Sequence, residues 1–129
     1  MRKSLACTSV VLLALAAGCG GNSHESLAEE ANSTMKEMVA TLDKVTDEAS
    51  AEANKDKLKS LMQKLNAINE KQTKLPAPTP EELKAMETKY GKEMEATAQK
   101  FAQHMMRIAF DPKIQAKLAD LDKDMPKMK

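Results

Sequence analysis

LPAPTPEEL, from Leu75 to Leu83, decides the fold of this chain. Pro76, Pro78 and Pro80 fall within five residues, and each removes a backbone donor and clashes with the turn before it. No helix continues through them. The same stretch opens the next helix: Thr79 suits the N-cap, Pro80 the first helical position, and Glu82 the place where a capping box needs its acid. A stop and a start this close join two helices by a short link, and short links make antiparallel neighbours.

Both sides of the link carry helical periodicity and no alternating run. Downstream, Leu83, Met86, Tyr90, Met94, Phe101, Met105 and Ile108 form a stripe at steps of three, four and seven. Asp111 and Pro112 repeat the cap-and-proline signal and open a short last helix whose Ile114, Leu118, Leu121 and Met125 face inward; Pro126 ends it. Upstream, Leu58, Leu61, Leu65, Ile68, Gln72 and Leu75 mark a second helix. Leu27, Ala31, Met35, Met38, Leu42 and Val45 mark a first one, with Asn22 or Ser23 as cap and Ser26 with Glu29 as a second capping box. Between them TDEASAEANKDK, Thr46 to Lys57, lacks large apolar residues. Either one long helix runs through this polar middle or the chain turns near Asp47 to Ser50, with Ser50 capping the second helix; the reading favours the turn. The expected fold is all-α: an antiparallel bundle of three long helices plus a short fourth over residues 24–129.

Composition narrows the function classes. With 129 residues the chain has room for one domain, and with one Tyr, two Phe and no Trp its core is built from Ala, Leu and some of its ten Met. Arg2 and Lys3 lie in an N-terminal segment without acids, so removing that segment leaves 18 of the 20 basic residues against 19 acidic ones. Without a basic surplus or stacking aromatics, nucleic acid is not an expected partner.

That N-terminal segment has three parts: basic Arg2 and Lys3, an apolar-rich run from Leu5 to Ala17, and the small residues Ala16, Ala17 and Gly18 before Cys19. The run is shorter than the ~20 residues of a membrane-spanning helix and has the length of a signal-peptide core. Leu15, Ala16, Ala17, Gly18 and Cys19 resemble the lipobox of bacterial lipoproteins, departing from it in having Ala16 where Leu is commonest. The resemblance implies a signal peptide over residues 1–18, cleavage between Gly18 and Cys19, and acylation of Cys19, with residues 19–23 as the lipidated residue and flexible tether. It implies a lipid bilayer as partner. Gly20, in place of Asp after the cysteine, implies sorting to the outer membrane, facing the periplasm. Cysteine usage agrees, since Cys7 lies in the removed segment and Cys19 would otherwise be an unpaired thiol in an oxidising compartment. The chain also resembles small helical envelope lipoproteins of no assigned function, through its DEASAE and LPAPTPEE segments.

Candidate chemical sites are few. Met35 with Met38, and His104 with Met105 and Met106, are thioether and imidazole groups of the kind that bind Cu(I), yet Met35, Met38 and Met105 lie on stripes a bundle buries. Met35 also occupies the place of the first haem ligand in periplasmic cytochrome b bundles, which the first two helices resemble, but the last helix has no His and no C-x-x-C-H motif exists. Lys129 resembles the C-terminal lysine through which some helical lipoproteins are linked to peptidoglycan. The reading expects no enzyme, no cofactor and no metal. It expects a membrane-anchored interaction or structural module whose helices meet an envelope protein or a second copy, with copper binding and a peptidoglycan-tethered spacer as alternatives.

Overall fold

The computed structural model describes residues 23–124. Among them the chain is all-α: α1 (His24–Leu42), α2 (Glu48–Lys74), α3 (Pro80–Ala109), α4 (Pro112–Leu118) and a closing 3-10 segment, Ala119–Asp124. Met125, Pro126 and Lys129 lie outside the described residues, as do Gly18 and Cys19 with the whole signal segment and Asn22.

Each helix starts where a side chain satisfies the first free backbone donors. Ser23 caps α1, accepting from the Ser26 amide while Ser26 Oγ accepts from the Ser23 amide, both at 3.1 Å. Ser26 therefore belongs to the first box and does not found a second one with Glu29. Thr79 Oγ1 accepts from the Glu82 amide at 3.2 Å, and Glu82 returns the bond to the Thr79 amide at 2.8 Å. Asp111 accepts from Lys113 and Ile114. At α2 the structure corrects the sequence reading: the N-cap is Asp47, and Ser50 is the third helical residue, reaching back to the Asp47 amide at 2.9 Å. The turn lies earlier than expected, over 43–47: α1 ends at Leu42, Val45 belongs to the turn and not to the helix, and α2 begins at Glu48 because Ala49, Ala51 and Ala53 are strong helix formers. Ala51 is fully buried.

α1 is the central helix. The contacts His24 with Pro76, Glu30 with Lys64 and Glu37 with Lys57 run in opposite directions along α1 and α2. Glu25 with Lys89, Asn32 with Glu93 and Asp43 with His104 run in the same direction along α1 and α3. The topology is up, down, up. α2 and α3 both lie along α1 but not along one another, and α4 wedges between them at the end formed by Leu42, Glu48 and Ala109.

Two-sided packing explains the burial of α1. Besides Leu27, Met38 and Leu42 it buries Val39 and four polar residues that the stripe omitted: His24, Asn32, Thr34 and Thr41. Ala31 and Met35 are only half-buried. Thr34 and Thr41 donate their hydroxyls to the carbonyls of Glu30 and Glu37, each at 2.7 Å, so they fill close helix contacts without an unpaired group. On α2, Leu58, Leu61 and Ile68 are buried as expected, Leu65 and Leu75 are half-buried, Gln72 is exposed, and Met62 joins the core. The α3 stripe is corrected more heavily. Tyr90 and Ile108 are buried, Met86, Phe101 and Met105 are half-buried, while Leu83 is 51% and Met94 44% exposed because α2 does not cover them. Ile114, Leu118 and Leu121 are buried as expected, and the described core is complete between His24 and Leu121.

Candidate functional site

The α4 end of the bundle holds the feature with most chemical content. Met38 and Leu42 of α1, Leu58 and Met62 of α2, Phe101, Met105 and Ile108 of α3, and residues of α4 and the 3-10 segment enclose an open recess of about 400 Å³. It exists because α2 and α3 each pack on α1 but not on one another, and α4 fills only part of the gap between them. The floor is made of buried core residues, and the rim is made of the exposed Ala109, Pro112, Gln115, Ala116 and Ala119. Gln115 is the single polar residue among them. Such a volume and lining fall within the range of small-molecule sites.

Beside the recess a polar network joins α3 to the α1–α2 turn. Arg107 donates from Nη1 to the Val45 carbonyl at 2.6 Å and from Nη2 to the Leu42 carbonyl at 3.1 Å. The Leu42 carbonyl also accepts from the Val45 amide at 3.0 Å, so Arg107 adds a second bond to it and a bond to the Val45 carbonyl beyond the helix. His104 Nδ1 lies 3.2 Å from Arg107 Nη2, and its Nε2 lies 2.7 Å from Asp43 Oδ1. Since a guanidinium only donates, Nδ1 accepts, and a neutral ring with its proton on Nε2 serves both neighbours.

These contacts place the residues of the copper pattern. Both His104 nitrogens are engaged within the protein. Met38 and Met105 line the apolar recess, Met35 is half-buried on α1, and Met106 is 62% exposed. Met35 is not among the residues that line the recess with Met105. Among the described residues no group of three or more His, Cys, Asp or Glu could hold a metal ion. Gly18, Cys19 and Lys129 lie outside the described residues.

The opposite end of the bundle is held by polar contacts. His24 Nε2 donates to the Pro76 carbonyl at 2.7 Å, fastening α1 to the proline link, while its buried Nδ1 has no protein partner. Asn32 donates to Glu93 at 2.7 Å, and Lys36 pairs with the same carboxylate. The Lys36 ammonium, with Asn32, holds the Glu93 carboxyl below the usual carboxylate range. Lys89, paired with Glu25 at 2.7 Å and lying 5.1 Å from the centre of the Tyr90 ring, keeps its proton to a higher pH than an ordinary lysine, chiefly through Glu25.

Sequence reasoning marked Met38, Phe101, Met105 and Ile108 as core and had no signal for the recess between them. Periodicity reports which face of a helix is apolar, not whether two such faces close. No family model matches the chain, and neither a curated protein nor a solved structure is significantly similar to it. No helix among the described residues is long and apolar enough to cross a membrane.

Proposed function

We propose that the protein is a lipid-anchored helical module of the bacterial envelope that acts by binding and not by catalysis. The observation that carries this reading is the run Leu15 to Cys19, a lipobox-like end to a signal-length apolar segment, four residues before the N-cap of α1. Anchoring at Cys19 needs no further membrane segment, because the two or more acyl chains of a lipoprotein hold stably where one would not.

The fold gives the anchored protein an orientation. Four residues from Cys19 to Ser23 reach at most ~14 Å, so the end carrying His24 and Pro76 stays near the bilayer. Leu42 lies about 27 Å further along α1, at 1.5 Å per residue. A bundle standing on this end holds the recess away from the membrane, on the side where an envelope partner or ligand arrives. Gly20 after the cysteine supports the outer membrane, with the bundle in the periplasm.

Mass spectrometry of the mature N-terminus tests the anchor. Acylated Cys19 is the expected result, and Cys19→Ser should leave an uncleaved precursor. A free Cys19 thiol, or cleavage elsewhere, would replace the anchored module with a secreted bundle. Density-gradient separation of the two membranes tests the location; recovery in the inner membrane would overturn that part alone.

A further inference from the structure

We propose that the recess at the α4 end binds the hydrocarbon chain of a single-chain amphiphile, a fatty acid or a lysolipid. The inference goes beyond the anchoring reading and stands whether or not Cys19 is acylated.

Size comes first. A dry cavity of about 150 Å³ is enough to take up benzene. At about 400 Å³ this recess accepts a considerably longer apolar body. Its lining then restricts the chemistry. Charged side chains are missing from the wall, and its one polar residue, Gln115, sits at the exposed rim. A carboxylate or phosphate drawn inside would be desolvated without a partner. The head group of any amphiphile therefore stays in water at the mouth.

The mouth permits this. Ala109, Ala116 and Ala119 are small and exposed, so no large side chain blocks entry from solvent. Deeper in, Met38, Met62 and Met105 come from three different helices. Unbranched thioether side chains change rotamer at low cost and mould themselves to a flexible chain. A docked helix fits the space poorly: at about 10 Å across it fills roughly 420 Å³ in every turn, so one turn would exhaust the recess.

Displacement of a fluorescent probe tests the proposal on residues 23–129, which contain the complete described core. N-phenylnaphthylamine should brighten on binding, and alkyl carboxylates from octanoate to palmitate, kept below micelle-forming concentrations, should displace it. Affinity should rise about fourfold per added methylene and then level off when the recess is full. Ala116→Trp, at an exposed rim position, should weaken binding about tenfold or more, the equivalent of about two or more excluded methylenes, with helicity and melting temperature unchanged. Met105→Glu should act likewise from inside, while Ala96→Trp, beside Lys36 on the α1–α3 face, should leave binding intact. Lysophosphatidylcholine with the same chain as palmitate should compete equally if the head group stays outside.

Absence of saturable displacement, a chain-length response that never levels off, or indifference to Ala116→Trp would each overturn the proposal. So would saturable capture of an amphipathic peptide without any response to alkyl carboxylates, which would assign the recess to a partner helix.

Discussion

Arg107 Nη1 donates to the Val45 carbonyl over 2.6 Å, and this bond fastens α3 to the turn that joins α1 and α2. The same guanidinium reaches Leu42 O, so one side chain closes two carbonyls from the end of α1 and the loop after it. Val45 itself is fully buried. The turn is thus held from below by its apolar side chain and from the side by Arg107.

Arg107→Met keeps the length and apolar stem of the side chain but removes both donors. It should lower stability by about 1.5–2 kcal/mol, the lower part of the range for hydrogen bonds to charged groups. Arg107→Lys should recover part of the loss, because an ammonium can reach one carbonyl but cannot span two in a fork. Urea unfolding of the three proteins measures the order; equal stability of Met and wild type would mean that water replaces Arg107 without cost.

Burial on α1 makes a second prediction. Leu27 is 1% exposed, and Leu27→Ala should cost about 2–5 kcal/mol. Thr34→Val should change stability by less than about 1 kcal/mol, since its hydroxyl serves only a carbonyl within its own helix. Leu83→Ala, at a half-exposed site, should be within about 0.5 kcal/mol of wild type. Thermal melts rank the three.

The same three residues show what the sequence could convey. Leu27 was legible because an apolar residue in a helical stripe is buried wherever a neighbour exists. Thr34 was not, because a central helix touched on two sides recruits small polar residues that satisfy themselves locally, and hydropathy scores them as surface. Leu83 was misread for the converse reason: its stripe is real, but α2 packs on α1 and not on α3. Caps at Ser23, Thr79 and Asp111 were legible because they depend on a few adjacent residues. The recess was not, because it depends on α2 and α3 packing on α1 without meeting one another. Cys19 rests on sequence alone.

Acid should loosen the bundle at identifiable carboxylates. Asp47, Glu82 and Glu93 are all held below their ordinary values, by Ser50, by the Thr79 amide and by Lys36 respectively. A carboxyl with a lowered folded pKa contributes stability above its unfolded value, and this contribution is lost as pH falls through the folded value. Unfolding midpoints should therefore be flat from neutral pH to about 5 and then decline. Glu93→Gln should be less stable at neutral pH and show a shallower acid decline. An unchanged decline would place the acid sensitivity elsewhere.

The identity of the α2 cap can be settled by comparing two neighbouring substitutions. Asp47 Oδ1 accepts from the Ser50 amide at 2.8 Å, satisfying a donor at the start of the helix, and its ionised carboxylate lies at the positive end of the helix dipole. Ser50 Oγ accepts from the Thr46 and Asp47 amides, each at 2.9 Å, and both of these lie outside the helix, where water can replace the side chain. Asp47→Ala should therefore destabilise more than Ser50→Ala and should accelerate hydrogen exchange of the Ser50 and Ala51 amides. Asp47→Ser should recover most of the loss at acid pH, where charge no longer distinguishes the two caps, and less of it at neutral pH. If Ser50 were the cap, the two alanine variants would exchange rank and the Asp47 substitutions would leave amide exchange in the first turn unchanged.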